Sequence, residues 1–172
     1  MASLGLSLAA VALLVVLIFV PLVQTFSSSD LSLSYPSTWT SLDTSKVSTC
    51  QNSGCLIVLD YNDSQTQIFL ADLKINNSSS IESLDQQLWN GMLQQGAGVE
   101  LIATSYMQVD GHPASRRTFS LTTNGETVYA VMGLIQAKST LYQYMGVSQN
   151  AASHQAHLAE VDQIIQSIRF TP

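Results

Sequence analysis

The chain has 172 residues, 12 of them acidic and 6 basic, for a net charge of −6; that is the wrong sign for a nucleic-acid surface, which needs a basic footprint. Charged residues make up only 10% of the sequence, against roughly 25% in ordinary soluble domains, so Ser, Thr, Asn and Gln must supply the polar surface, as suits an exported protein. The length fits one domain plus an N-terminal appendage.

The appendage is the stretch Leu4–Val23, apolar except for Gly5, Ser7 and Pro21, and the first charged side chain is Asp30. Twenty residues of helix reach about 30 Å, the thickness of a hydrocarbon core. A cleaved signal peptide calls for a basic leader, a shorter apolar run and a small-residue cleavage site. This sequence has no Lys or Arg before the run and no A-x-A after it. A retained anchor in membrane lipid is the preferred reading, with residues 1–29 as anchor and linker and 30–172 as an extracytoplasmic domain. Thr25–Asp30 reads as the short polar linker.

Leu31, Leu33 and Tyr35 alternate as in a strand that Pro36 ends, and Trp39 is expected to fold back over the core edge. Cys50 and Cys55 bracket Gln51-Asn52-Ser53-Gly54, a turn-like tetrapeptide. The two thiols could close a small hairpin disulfide or stay free, and a metal site lacks a second ligand pair. Leu56–Tyr61 and Gln67–Ile75 are the next expected strands, joined by a polar turn. Three N-x-S/T acceptors, Asn62, Asn76 and Asn77, fall in expected loops. Together with a disulfide they favour a location outside the cytoplasm.

Ser79 and Glu82 fit a capping box, followed by Ile81, Leu84, Leu88, Trp89, Met92 and Leu93 at helical spacing and by Gly96 as a stop. Val99–Val109 reads as a long strand closed by Asp110-Gly111. Ala114–Leu121 and Thr127–Ile135 flank an Asn124-Gly125 turn, the strongest short hairpin signal. Thr127–Ile135 is apolar on both faces, so it must be covered above and below. Leu141–Val147 completes the meander. Asn150 is the expected cap of a last helix with a stripe of Leu158, Val161, Ile164, Ile165 and Ile168. The order predicts an α+β domain: a mainly antiparallel sheet with a helix packed on each face, an α/β/α sandwich.

Three segments in this order resemble one known group. Leu31-Ser-Leu-Ser-Tyr-Pro-Ser-Thr-Trp39 is similar to the opening strand of the PsbP/Mog1-like superfamily, which includes PsbP and the DcrB and LpqN-like envelope proteins. Val109-Asp-Gly-His-Pro-Ala-Ser-Arg-Arg117 resembles its hairpin. Ile164-Ile-Gln-Ser-Ile-Arg-Phe170 resembles its terminal helix and short exit strand. The resemblance spans about Leu31 to Phe170. It implies an α/β/α sandwich, usually without catalysis, and brings no shared catalytic residues.

The residues offer little assembled chemistry. His154 and His157 are three apart on the last helix, so two imidazoles could ligate one ion, with Glu160 and Asp162 following. The competing reading, histidines at the edge of an apolar stripe, is favoured. Arg116 and Arg117 are consecutive in a strand and point to opposite faces. One must therefore lie near a covering helix and find a carboxylate or backbone partner, with Glu126, Asp110 and Glu160 at hand; an anion site is the alternative. Tyr106, Tyr129, Tyr142, Tyr144 and Trp89 suit a ligand pocket or, more often, a core. Asp60, Asp63 and Asp72 gather around one turn and could hold calcium weakly, without the spacing of an EF-hand. No G-x-S-x-G, phosphate loop or H-E-x-x-H occurs. The expectation is a non-catalytic accessory or docking subunit, membrane-anchored and extracytoplasmic, with a protein partner and no cofactor. Its alternatives are an envelope small-ligand or metal-binding protein and, last, a hydrolase.

Overall fold

The computed structural model describes residues 22–50, 54–62, 65–73, 79–94, 98–149 and 151–172. The apolar run up to Pro21 lies outside them, as do Asn76, Asn77, Asp63, Gly96 and the expected cap Asn150. Among the described residues, no helix is long and apolar enough to cross a membrane.

Strands β1 (Val23–Ser27), β2 (Leu31–Pro36), β3 (Trp39–Leu42), β4 (Cys55–Tyr61) and β5 (Thr66–Asp72) precede helix α1 (Ile81–Leu93). Four more follow: β6 (Val99–Val109), β7 (His112–Thr123), β8 (Glu126–Ala137) and β9 (Thr140–Ser148). Helix α2 (His154–Gln166) and the two-residue β10 (Arg169–Phe170) close the chain. Seven strands form an antiparallel sheet in the order β3-β4-β5-β9-β8-β7-β6, and β1-β2-β10 form a separate three-stranded sheet. The mainly antiparallel α+β class read from the sequence therefore holds.

Strand β8 shows why its two faces are both apolar. Val131 and Ile135 share a core with Leu158, Val161, Ile164 and Ile165 of α2 and with Leu31, Leu33 and Tyr35 of β2. Ala130 and Met132 point the other way, onto Trp89 of α1, and Leu134 meets Ile81 and Leu84 of the same helix. Alternation along one strand thus assigns each helix to its own face. Two tight turns set the register of the meander: Asp110-Gly111 and Asn124-Gly125 all have positive φ, the backbone a two-residue hairpin requires.

Several local expectations need correction. Thr25–Asp30 is not a linker, because Val23–Ser27 pairs antiparallel with β2, Thr25 opposite Ser34. A short exposed strand with only Phe26 partly buried carries too little apolar periodicity to be read as one. The cap of α1 is Ser80, which accepts from the Ser83 N–H, rather than Ser79. The second strand of the first hairpin stops at Asp72, short of Ile75. Trp39 is not at the core edge: it is fully buried in β3, with its indole N–H donating to Glu160 Oε2 at 2.8 Å.

One close approach locks the centre of the sheet. Gly133 of β8 has no side chain, and a Cβ there would collide with the Ser115 carbonyl oxygen and the end of the Tyr144 ring. The gap lets the Tyr144 hydroxyl cross β8 and donate to the Ser115 carbonyl of β7 at 2.9 Å, while Ser115 Oγ accepts from the Leu134 N–H. Burial, reinforced by the Asp162 carboxylate and opposed by Arg116, pushes the Tyr144 phenol far above the ordinary tyrosine value of 10.0. The sign follows directly: above pH 10 the unfolded chain releases a proton that the folded chain keeps, so stability falls as pH rises. Alkaline unfolding should steepen from about pH 10 by up to ~1.4 kcal/mol per pH unit. In equilibrium denaturation, Tyr144→Phe should flatten that slope and cost about 1 kcal/mol at neutral pH; an unchanged slope removes Tyr144 as its source.

Candidate functional site

The two adjacent arginines of β7 organise the polar residues of the domain. Arg116 faces α2 and binds Asp162 through two bonds, Nε to Oδ1 and Nη2 to Oδ2, each 2.7 Å, with Nη1 on Thr118 Oγ1. Arg117 faces α1 and donates Nε to Asp85 Oδ2 at 2.7 Å and Nη2 to Gln86 Oε1 at 3.0 Å. Its guanidinium also lies 5.1 Å from the centre of the Trp89 ring. The expectation of an ion pair under a helix is met, but the carboxylates are not those anticipated. Glu160 is taken by Trp39, Asp110 accepts from the Phe170 N–H, and Glu126 is exposed at a hairpin tip. A sequence signal for one of the true partners existed: Asp85 interrupts the apolar stripe between Leu84 and Leu88, where an acid must be paired to be buried.

The two pairs differ in environment. The Arg117 and Asp85 side chains are 5% and 0% exposed, while Arg116 and Asp162 are 22% and 33% exposed. Asp85 Oδ1 is buried without a hydrogen-bond partner among the described residues, and Tyr106 reaches only the other oxygen, at 3.4 Å. Hydrogen bonding to Asp162, partly offset by burial, holds the Arg116 guanidinium above its already high ordinary value.

The histidines singled out as metal ligands occupy different surroundings. His157 is buried against Tyr61, and its Nδ1 lies 2.8 Å from Thr66 Oγ1 and 3.3 Å from Ser148 Oγ, both fully buried hydroxyls. His154 is partly exposed, stacks on Tyr129 with ring centres 3.7 Å apart, and donates from Nδ1 to the Ala151 carbonyl. Among the described residues no group of three or more His, Cys, Asp or Glu gathers at a common point. Asp60 accepts from Gln67, and Asp63, expected beside it, lies outside the described residues. Cys50 and Cys55 are joined by a disulfide, with Cα atoms 5.1 Å apart, and Asn62 is exposed at a turn.

Among the described residues, two open grooves lie against the helices. One, of about 280 Å³, lies between the sheet and α2 and is walled by Ile102, Arg116, Tyr129, His154, Leu158 and Asp162. The second, of about 430 Å³, is bounded by Leu88 and Met92 of α1 and by Met132, Gln143 and Met145 of the sheet. Of the aromatic residues, Tyr142, Tyr144 and Trp89 are core, whereas Tyr129 lines a groove and Tyr106 is exposed.

The family model for PsbP-like proteins matches residues 20–170. The chain belongs to the PsbP-like protein family. This places it in the PsbP/Mog1-like superfamily and extends the match beyond Leu31 to include β1. The solution structure of the cyanobacterial PsbP (CyanoP) of Synechocystis sp. PCC 6803 superposes with a TM-score of 0.66 at 12% identity, covering 90% of this chain and 95% of that one. LpqN of Mycobacterium tuberculosis, described as involved in cell envelope biogenesis, gives 0.61 at 14% identity, covering 87% and 92%. The Saccharomyces cerevisiae Ran-binding protein Mog1p gives 0.61 at 9% identity, covering 87% and 95%. At such identities the likeness is one of fold. No curated protein matches the chain significantly.

Removing one member of the buried pair should be severe. Asp85→Ala strands a guanidinium under α1 and should cost about 3–5 kcal/mol, whereas Asp162→Ala, at a half-exposed pair, should cost about 1 kcal/mol. The double change Asp85→Leu with Arg117→Met should recover most of the loss in urea denaturation; a double variant no more stable than Asp85→Ala means the pair does more than balance its own charges.

Proposed function

We propose that this PsbP-like chain is a non-catalytic accessory module, held at the outer side of a membrane by the apolar run that precedes β1 and docking on a protein partner. The observation that carries the reading is where the reactive side chains go. Arg116, Arg117, Asp85, Asp162 and His157 are spent on fastening helices and filling the core. The larger open groove is walled by Leu88, Met92, Met132 and Met145. Thioether chains are flexible and polarizable and repack against varied apolar surfaces, so they suit a protein partner better than a reaction. The Cys50–Cys55 disulfide supports the outer side, since such bonds persist in oxidising compartments. LpqN, of the same fold, is described as acting in cell envelope biogenesis, in keeping with an envelope location here.

A second reading keeps the 280 Å³ groove as a small-ligand site, because the stacked Tyr129–His154 pair stands beside the half-exposed Arg116–Asp162 pair. Purification of the full chain from its membrane in mild detergent separates the two. The docking account expects a different protein at constant stoichiometry, lost in Met92→Glu and Met145→Glu but kept in His154→Ala. A chain that leaves the membrane without detergent, or that carries no second protein, contradicts it.

A further inference from the structure

The sheet edges are unequal. Among the described residues, β3 and β1 end their sheets with four and five residues and β10 with two, whereas β6 presents eleven. Natural edges are usually blunted by shortness, Lys, Pro, inward charge or a bulge. Strand β6 has no Lys, Arg or Pro, and its only charge is Glu100. Its one irregularity is the register shift between Leu101 and Ala103. Beyond that bulge, Ala103–Val109 pairs regularly with β7 up to the two-residue turn at Asp110-Gly111.

The turn decides which amides are free. In a two-residue hairpin the residues flanking the turn, Val109 and His112, exchange both hydrogen bonds, and the pattern alternates outward from them. Val109, Met107, Ser105 and Ala103 therefore bond to β7. Gln108, Tyr106 and Thr104 turn their N–H and C=O away from it. The regular segment is uncharged from Ala103 to Gln108 and is centred on Tyr106, itself 48% exposed.

We propose that this edge pairs with the same edge of a second copy, antiparallel about a two-fold axis at Tyr106, joining two seven-stranded sheets into one. Donors meet acceptors only where outward-facing residues lie opposite outward-facing residues, and of the registers that do this the one centred on Tyr106 overlaps the regular segment Ala103–Val109 over its full length. It sets Tyr106 against the partner copy's Tyr106, an aromatic cross-strand pair, and Thr104 against the partner copy's Gln108. Charge favours a copy as occupant: on a chain of net charge −6 this strip is neutral, and Glu100 lies beyond the paired stretch, so no like charges meet. The arrangement is isologous and closes at two chains. It is independent of the docking reading, which uses another surface.

The test uses the full chain in mild detergent, with the protein mass in the micelle measured by light scattering. The wild-type chain should have the mass of two copies. The double variant Thr104→Lys with Gln108→Lys places like charges opposite each other at both ends and should halve that mass. Thr104→Lys with Gln108→Glu places opposite charges there and should keep the dimer. Both variants should keep the wild-type far-ultraviolet circular dichroism, because both side chains are exposed in the single chain; only the monomeric double-lysine variant should unfold at a lower temperature, having lost the stabilisation that pairing adds. A monomeric wild-type chain overturns the proposal, as does a dimer that survives the double lysine; a monomeric Lys/Glu variant overturns the register at Tyr106.

Discussion

Two neighbouring guanidinium groups hold this domain together. A strand sends adjacent side chains to opposite faces, so Arg116 and Arg117, placed in the middle of β7, reach both helices at once. Arg116 ties α2 through Asp162, and Arg117 ties α1 through Asp85. Apolar burial is non-directional, so the stripes of α1 and α2 alone set rotation and offset loosely. The ion pairs fix both, because a buried arginine without its carboxylate is far costlier than an imperfect apolar contact.

The rest of the polar interior follows the same logic. Tyr144 fills the gap above Gly133 and ties β9 to β7. His157 settles between Thr66 and Ser148, which joins the start of α2 to β5 and β9. Ser167 exchanges hydrogen bonds with the backbone of Ser34, holding the end of α2 to the small sheet. Each of these polar side chains links elements far apart in the chain. Sharing this fold, CyanoP, LpqN and Mog1p have almost no sequence in common with the chain. The fold therefore does not depend on this particular sequence.

Most of the elements were legible because their signals are local. Alternation in Leu31–Tyr35, the doubly apolar Thr127–Ile135, the Asn124-Gly125 turn and the stripe from Leu158 to Ile168 each act within a few residues. What escaped depends on distance. Nothing near Arg117 names Asp85, which lies 32 positions earlier, and nothing in Val23–Ser27 reveals that β2 needs a neighbour. Nor does periodicity tell that β2 leaves the main sheet to pair with β1 and β10. For the candidate site, the sequence singled out His154, Tyr129 and Arg116 one by one; only the fold sets them in one groove. His157, singled out with His154, instead went into the core, because its neighbours across the sheet are hydroxyls that no local pattern displays.

The central claim is that each arginine fastens one helix. Amide hydrogen exchange followed by mass spectrometry, residue segment by segment, tests it most directly on Asp85→Asn and Asp162→Asn. The account predicts that the first speeds exchange in Ile81–Leu93 and leaves His154–Gln166 protected, and that the second does the reverse. Equal loosening of both helices by either variant, or of neither by both, would contradict it.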